Sequence, residues 1–375
     1  MKNVVIAIAS FKGCLPSVEA GKAAAEGIRS VYPECEVICL PIADGGEGML
    51  DVLIMATNGQ EVPISAHDPL MRWRNTYYGI SENGETAFIE MASISGLPLV
   101  PPERRNPMLT TTYGTGEIIR DALERGCRNF IIGIGGSATN DAGLGMLQAL
   151  GFRFSDKEGK EVGTGRGAVL IKVAHIDSTC VHPALNSCRF TVACDVQNPF
   201  YGPEGAAYVF APQKGANRKM VEALDAGLQN FAEVIRHTTG KDISHHPGAG
   251  AAGGMGGSLL AFLNAELKPG IQLMLEALDF SNKIKSADLI ITGEGKADRQ
   301  TLMGKVPSGI LAEARKQNIP VILLAGNIED SDELQQAGFE GVFSVNPPFI
   351  SLEEAMRPEV ARKNIQQTVE SICKK

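Results

Sequence analysis

Ala287–Asp298 reads ADLIITGEGKAD, in which an apolar, β-branched run ends in a glycine-rich segment that carries carboxylates. The same order recurs in EVICLPIADGGEG at residues 36–48 and in NFIIGIGGSATND at residues 129–141. Continuous apolar runs of four to six residues are typical of strands buried on both faces of a parallel sheet. The three stretches therefore predict buried parallel strands that each end in a glycine-rich loop.

Helical patterns separate these strands. Ser17–Val31 and Thr115–Arg125 space their apolar residues as a helix does, with Ser17 as the expected N-cap. Pro307–Gln317 forms a third such segment, and Gly341–Val345 is a strand that precedes an amphipathic C-terminal helix. Strands that alternate with helices predict an α/β fold, here a Rossmann-like doubly wound parallel sheet.

The middle of the chain has a different pattern. Residues 61–100 contain short alternating strands and an Asn83-Gly84 hairpin signal, whereas residues 151–280 mix strands, helices and loops. We expect an inserted second α/β domain there, with a cleft between the two domains. The predicted boundaries are residues 1–60, 108–150 and 282–375 for the Rossmann-like domain, and residues 61–107 and 151–281 for the second domain.

Composition excludes several classes of protein. The 375 residues carry 35 Lys and Arg against 43 Asp and Glu, a net charge of −8, which argues against a nucleic-acid partner. No uncharged apolar run approaches the roughly 20 residues that span a bilayer, and the N-terminus reads as a strand instead of a signal peptide. The eight cysteines are scattered without metal-ligand spacing, as is usual in a reducing compartment. We therefore expect a cytoplasmic protein with neither a nucleic-acid nor a membrane partner.

The glycine-rich loops are the strongest functional signal. Glycines let backbone N–H groups approach an anion closely, and carboxylates hold Mg²⁺. The two occur together where a phosphate binds with its metal ion. A strand-to-helix turn also uses Gly and Asp for conformational reasons, but three such loops in one chain favour ligand binding.

Other candidate residues lie outside those three loops. Asp195 follows the strand Arg189–Ala193 and is suited to orienting a substrate hydroxyl and accepting its proton, although an Asx-turn before proline is an equally good interpretation. Lys12 and Lys305 are the cations expected to contact phosphate, although a solvated surface side chain is the default interpretation of any lysine. The stretch Gly248–Ser258 contains G-x-G-x-x-G, but His245–Pro247 before it is no strand, which lowers the case for a dinucleotide enzyme.

Taken in order, these loops resemble those of the bacterial type I glycerate kinases. The resemblance covers nearly the whole chain, and it is the ordered set of motifs, not any single one, that is specific. Its motifs are SFKG at residues 10–13, residues 41–48, FIEMA at 88–92, residues 112–116, residues 133–141, CDVQNP at 194–199, APQKGA at 211–216, residues 247–257, residues 291–298 and GKVP at 304–307.

The resemblance implies ATP-dependent phosphorylation of D-glycerate to 2-phosphoglycerate, with ATP and Mg²⁺. The substrate is then a small hydroxy acid, whose carboxylate Arg104 or Arg105 could meet. Combined with the residue-by-residue analysis, it gives the following candidate set: Asp195 and Lys12 for catalysis; Gly135, Gly136, Ser137, Asn140, Gly253, Gly254, Gly256 and Lys305 for nucleotide; Ser10, Asp44, Glu47 and Asn198 for substrate; Glu294 and Asp298 for metal.

The chain also departs from the family pattern. Ala9 stands where family members usually carry Asp, and Lys296, Arg299 and Arg166 replace other common residues. Ala9 keeps open a second hypothesis, a catalytically weakened sensor on the same scaffold. An NAD-dependent hydroxy-acid dehydrogenase is a third. A homodimer is compatible with the sequence.

Overall fold

The structure is a computed structural model that describes residues 2–46 and 48–374. The chain divides into two compact units, the first formed by Met1–Asp44 and Ile271–Lys375 and the second by Gly45–Gly270. None of the helices in the described part of the chain is long and apolar enough to cross a bilayer.

The strands are, in chain order, β1 (Asn3–Ile8), β2 (Glu36–Cys39), β3 (Gln60–His67), β4 (Trp73–Ile80), β5 (Thr86–Glu90), β6 (Asn129–Gly133), β7 (Arg153–Ser155), β8 (His175–Asp177), β9 (Arg189–Ala193), β10 (Glu266–Lys268), β11 (Leu289–Ala297), β12 (Val321–Ile328) and β13 (Gly341–Ser344).

The α-helices are α1 (Ser17–Val31), α2 (Met49–Ala56), α3 (Ala92–Ser95), α4 (Tyr113–Glu124), α5 (Leu144–Ala149), α6 (Ala206–Phe210), α7 (Arg218–Thr239), α8 (Met255–Leu263), α9 (Gly270–Ala277), α10 (Phe280–Lys283), α11 (Val306–Arg315), α12 (Ser331–Gln336), α13 (Leu352–Ala355) and α14 (Pro358–Cys373). Two of the short 3-10 helices, Pro212–Lys214 and Arg299–Leu302, matter for the sites below.

The first unit is built on a parallel sheet with strand order β13-β12-β11-β1-β2. Ile6 of β1 lies opposite Ile291 of β11, and both side chains join a core that also contains Ile28 of α1 and Ile365 of α14. Helix α11 packs against β11 and β1 as well. The buried apolar strands and the covering helices confirm the predicted Rossmann-like α/β architecture.

The second unit is built on a mixed sheet with strand order β10-β9-β6-β5-β4-β3. Strands β10, β9, β6 and β5 are parallel, whereas β4 and β3 are antiparallel. The predicted Asn83-Gly84 turn joins β4 to β5, with Gly84 at φ +74°, a conformation that favours glycine. Phe130 and Phe190 stack across β6 and β9, with ring centroids 4.7 Å apart.

The domain boundaries differ from the prediction. Strand β6 was expected in the Rossmann-like domain, but it lies in the second sheet between β5 and β9, so residues 45–60 and 108–150 belong to the second unit and residues 271–281 to the first. An apolar run indicates that a strand is buried on both faces, but it carries no information about which strands it pairs with.

The expected N-cap at Ser17 is also wrong. Pro16 is the N-cap of α1, and Ser17 is its first helical residue. The Ser17 hydroxyl donates to the carbonyl oxygen of Ile8 (2.6 Å) and accepts from the N–H of Ile42 (2.9 Å). It therefore links the end of β1 to the segment after β2. Lys12 follows the first of these strands in sequence, and Asp44 follows the second.

Candidate active site

In the first unit, predicted residues gather where the parallel strands end. Lys12 follows β1 and Asp44 follows β2, and the Lys12 Nζ lies 3.6 Å from Asp44 Oδ2. The Lys12 side chain is 69% exposed, whereas that of Asp44 is 30% exposed. Lys12 is thus a solvent-facing cation at the edge of the sheet where ligands bind in open α/β folds. Ser10 precedes it and is half-buried.

Glu294, near the end of β11, is the least exposed of these carboxylates. Its side chain is 12% exposed, its Oε1 accepts from the Thr301 hydroxyl (2.6 Å), and its Oε2 lies 3.7 Å from Lys305 Nζ. Burial raises the pKa of Glu294, and the carboxylates of Asp298 and Asp44 raise it further, against the lowering effect of Thr301 and Lys305. A cation bound here would relieve that repulsion.

Asp298 begins the 3-10 helix Arg299–Leu302. Its Oδ1 accepts from the N–H of Gln300 (2.9 Å) in a capping box completed by Thr301. Burial acts to raise the pKa of Asp298, but the Gln300 hydrogen bond and the nearby lysines, Lys305 and Lys296, outweigh it and lower the pKa. The group is therefore an ionised carboxylate at neutral pH.

Among residues 2–46 and 48–374, no group of three or more His, Cys, Asp or Glu side chains has an arrangement that could hold a metal ion. Mg²⁺ in phosphate-transfer sites is commonly held by only one or two carboxylates together with phosphate oxygens and water. Glu294 and Asp298 fit that shared mode, but they do not form a closed protein cage. Glu47, a predicted substrate residue, lies outside the described residues.

Lys305 is the N-cap of α11, and its side chain is 33% exposed. The first N–H groups of a ten-residue helix are left without intrahelical acceptors and carry a partial positive charge. Lys305 therefore adds a partly exposed ammonium to an end of a helix that already favours anions.

In the second unit, the loop that follows β6 exposes Gly135 and Gly136 and buries the residues after them. Gly136 has φ +71°, in the left-handed region, and Ser137 is 7% exposed. A Cβ on Gly133 would lie 2.9 Å from the carbonyl oxygen of Gly45, so the Gly45 turn packs directly against the end of β6. Two of the predicted glycine-rich loops thus lie together.

Asp195 is exposed and lies two residues beyond β9. Its Oδ1 accepts from the N–H of Gly270 (2.8 Å), which fixes the direction of the carboxylate. Asn198 is tied to the loop at two points. Its side-chain Nδ2 donates to the carbonyl of Glu204 (2.8 Å), and its backbone carbonyl accepts from the N–H of Gly250 (3.0 Å). The structure gives Asp195 the accessible, oriented carboxylate that a general base needs, and it gives Asn198 a role in holding the loop.

Asn140 is fully buried, and neither its Oδ1 nor its Nδ2 has a hydrogen-bond partner among the described residues. Buried polar atoms in proteins are nearly always paired with protein groups or with ordered water. The Asn140 carboxamide therefore has both its NH2 group and its carbonyl oxygen available for a polar ligand group or a water molecule.

The glycine stretch at residues 248–258 is explained by packing. A Cβ on Gly253, which has φ +68°, would lie 2.1 Å from the carbonyl oxygen of Thr139, and one on Gly256 would lie 2.4 Å from that of Gly248. Gly254 is buried in the same way. None of the described strands lies immediately before this stretch, so the context of a dinucleotide fingerprint is missing. Nucleotide contact by Gly253, Gly254 and Gly256 stays a prediction.

Sequence analysis missed a buried polar group beside the Ser137 loop. Lys214 is 2% exposed, and its Nζ donates to Ser137 Oγ (2.8 Å) and to the carbonyl of Thr139 (2.7 Å). Asp141 is fully buried and accepts from the N–H and hydroxyl of Thr112, both at 2.8 Å. Both residues lie in stretches that carried the family resemblance, but a lysine in a short loop ordinarily indicates a solvated side chain.

Two of the residues that depart from the family pattern, Lys296 and Arg299, have local ion-pair partners. Lys296 pairs with Glu329 (2.9 Å), and Arg299 pairs with Glu333. Arg105 donates from Nε to the carbonyl of Val100 (3.3 Å), which leaves its role toward a substrate carboxylate a prediction. The backbone N–H of Ala9 bonds the carbonyl of Gly293 (2.9 Å), so the β1–β11 pairing continues to the position where family members usually carry Asp.

Comparisons with known proteins agree over the full length of the chain. The family model described as "Glycerate kinase family" matches residues 4–375. The chain is 46% identical to a Bacillus subtilis (strain 168) glycerate kinase over 99% of this chain and 97% of that protein, and 47% identical to an Escherichia coli (strain K12) glycerate 2-kinase over 95% and 93%.

A crystal structure from Salmonella typhimurium LT2, described provisionally as glycerate kinase 2, superposes with a TM-score of 0.90 at 43% identity and covers 100% of this chain and 97% of that one. Strand ends that carry lysines and carboxylates, a glycine-rich loop after β6 and an oriented carboxylate after β9 accompany these matches. The chain belongs to the glycerate kinase family.

Proposed function

We propose that this chain transfers the γ-phosphoryl group of ATP to the 2-hydroxyl of D-glycerate, which gives 2-phosphoglycerate and ADP. The observation that carries the proposal is the family match over residues 4–375, reinforced by the 47% identity to a protein named glycerate 2-kinase. Phosphoryl transfer relies on positioning and on charge stabilisation, and needs little covalent chemistry from the protein.

Asp195 is our candidate for the general base. Its carboxylate, oriented by the Gly270 N–H, accepts the proton of the glycerate hydroxyl as that oxygen attacks the γ-phosphorus. The bond from the γ-phosphorus to the bridging oxygen of ADP breaks, and the electron pair leaves with ADP. A positioned base of this kind contributes about 10²-fold or more to the rate.

Lys12 and Lys305 are our candidates for phosphate contacts. Both are accessible cations at the edge of the first unit's sheet, and Lys305 lies at the N-terminus of α11. Glu294 and Asp298 are the carboxylates that would share Mg²⁺ with the phosphates. When bound, Mg²⁺ neutralises phosphate charge and so favours attack at phosphorus. The protein's part is to direct both carboxylates, with Asp298 held ionised by the Gln300 N–H and the nearby lysines.

The remaining predicted contacts are assigned by accessibility and by available polar atoms. Gly135 and Gly136 are exposed glycines at a strand end, so their backbone can approach phosphate closely. Ser137 and Asn140 follow them with a hydroxyl and an unpaired carboxamide. For the substrate, Ser10, Asp44, Glu47 and Asn198 stay predictions.

A coupled assay of ADP release tests the proposal. Wild-type protein with Mg-ATP and D-glycerate should release ADP, whereas Asp195→Asn should bind both ligands and lose about 10²-fold or more in kcat. Asp177→Asn is the matched control, because Asp177 is also exposed, also lies at a strand end, and also accepts one backbone N–H (Thr179, 2.8 Å).

Unchanged turnover by Asp195→Asn would remove that residue from the mechanism. Thermal stabilisation of the wild type by both ligands without ADP release would favour the sensor hypothesis that Ala9 keeps open.

A cytoplasmic location is supported by eight cysteines that are all free. A homodimer stays a prediction.

A further inference from the structure

The 3-10 helix Pro212–Lys214 directs a lysine into the interior of the second unit. Gly215, at φ +95°, turns the chain immediately afterwards, and a Cβ there would lie 2.2 Å from the carbonyl oxygen of Arg105. This close approach lets the segment pack tightly, so that Lys214 is only 2% exposed. A lysine is almost never buried this completely unless its ammonium has partners.

The partners of Lys214 belong to the loop that follows β6. Its Nζ donates to Ser137 Oγ (2.8 Å) and to the carbonyl of Thr139 (2.7 Å). An ammonium group is a donor only, so Ser137 Oγ must accept, and the Ser137 hydroxyl hydrogen has to point away from Lys214. A neutral amine has a lone pair, to which that hydroxyl can donate instead. The protonation of Lys214 therefore sets the direction of the Ser137 O–H.

The charge near Lys214 is finely balanced. Burial lowers the pKa of Lys214 to about 7, and the carboxylate of Asp141 acts in the opposite direction. Asp141 itself accepts hydrogen bonds from Thr112, Gly143 and Gly145. Both protonation states of Lys214 are accordingly populated near neutral pH, and a nearby anion would shift the balance toward the charged state.

We propose that Lys214 is a positioning residue that turns the Ser137 hydroxyl toward the phosphate oxygens of bound ATP, so that ATP binding takes up a proton at Lys214. The proposal rests on the proposed kinase function and on the predicted contact of Ser137 with the nucleotide. Gly135 and Gly136, exposed immediately before Ser137, give a phosphate access to this hydroxyl. Neither Lys214 nor its effect is deducible from the sequence pattern, because the loop must fold first.

Calorimetric titration of ATP at pH 8, in two buffers that differ in ionisation enthalpy, measures the proton uptake. We expect the wild type to take up about half a proton or more, because most Lys214 side chains are neutral at that pH. Lys214→Met should lose this uptake and bind ATP about tenfold more weakly, as expected for a hydroxyl no longer directed at a charged group. Lys241→Met is the matched control, since Lys241 Nζ also donates to carbonyls (Ala261, 2.9 Å) but lies outside the loop.

A second set of variants separates positioning from general structural damage. Ser137→Ala should weaken ATP binding as Lys214→Met does, the double variant should be no weaker than either single variant, and Ser137→Thr should restore binding. If Lys214→Met fails to fold, the proton uptake of the wild type and the ATP affinities of Ser137→Ala and Ser137→Thr still test the proposal.

The experiments distinguish a failure of the Lys214 proposal from a failure of the proposed kinase function. A wild type that binds no ATP overturns both proposals. A wild type that phosphorylates D-glycerate, but whose proton uptake is zero or is retained in Lys214→Met, overturns the role of Lys214 alone. Additive losses in the double variant would do the same.

Discussion

Replacing the buried Lys214 by methionine is expected to change how the stability of the protein depends on pH. Burial lowers the pKa of Lys214 from its ordinary 10.5 to about 7. Between those two values the unfolded chain holds a proton on this lysine that the folded chain has lost. The free energy of unfolding of the wild type therefore rises with pH across this window, and the full penalty applies below pH 7.

The magnitude follows from the same shift. Each pKa unit corresponds to about 1.4 kcal/mol, so burying the charged lysine costs about 5 kcal/mol at low pH. From pH 7 to pH 9 the wild type should gain about 2 kcal/mol relative to the methionine variant. Methionine also cannot donate hydrogen bonds to the Thr139 carbonyl and the Ser137 hydroxyl, and this loss lowers the free energy of unfolding by about 1–3 kcal/mol at every pH. The variant is therefore expected to be the more stable protein at pH 6 and to lose that advantage as the pH rises.

Urea denaturation of both proteins between pH 6 and pH 9 measures the difference, in which the titrating groups that do not interact with Lys214 cancel. The reasoning requires the variant's advantage to shrink steadily over this range. A difference that stays constant with pH would mean that Lys214 keeps an ordinary pKa in the folded protein. Lys214 would then stay charged near neutral pH and could not redirect the Ser137 hydroxyl when ATP binds.

Three further variants test other parts of the account. Gly253→Ala should lower the free energy of unfolding by about 2–4 kcal/mol, because φ is +68° and the new Cβ would lie 2.1 Å from a carbonyl oxygen. The control Gly240→Ala has a similar φ of +73° but open space around the new Cβ, so it should cost only about 1 kcal/mol. Equal losses in the two variants would contradict the packing argument. Glu294→Gln should raise the Mg²⁺ concentration needed for half-maximal activity about tenfold while leaving the melting temperature within a few degrees, and an unchanged Mg²⁺ requirement would remove Glu294 from the metal site. Lys12→Met should raise KM for ATP about tenfold, whereas Lys22→Met, a surface lysine paired with a neighbour on its own helix, should not; indistinguishable variants would make Lys12 an ordinary solvated side chain.

Local patterns predicted the strands and the loops after them well. The strand predicted at Arg189–Ala193 is β9, and the predicted apolar runs at residues 36–41 and 129–134 contain β2 and β6, each followed by a loop. The same patterns could not place β6. Its sequence, NFIIG, specifies burial on both faces, which either sheet satisfies, and the choice between sheets depends on contacts with β5 and β9 that lie far away in the chain.

Sequence patterns located the candidate residues that are exposed at strand ends, and they missed the polar residues that are buried. Lys12 and Asp195 follow strand ends, so their position could be inferred from the fold class. Lys214 and Asp141 lie inside the protein, and a lysine or an aspartate in a loop has no sequence signature that separates the buried from the solvated case. Gly253 has a packing requirement that the sequence pattern did not specify, since a Cβ there would lie 2.1 Å from the carbonyl oxygen of Thr139, whereas its contact with nucleotide stays a prediction.

Phosphorus NMR of the product formed from D-glycerate and Mg-ATP tests the central claim most directly, because it reports phosphoryl transfer and its position together. The account predicts a phosphomonoester resonance coupled to the single hydrogen on carbon 2, with matching formation of ADP. A resonance coupled to the two hydrogens on carbon 3, or ATP left intact after prolonged incubation, would contradict it.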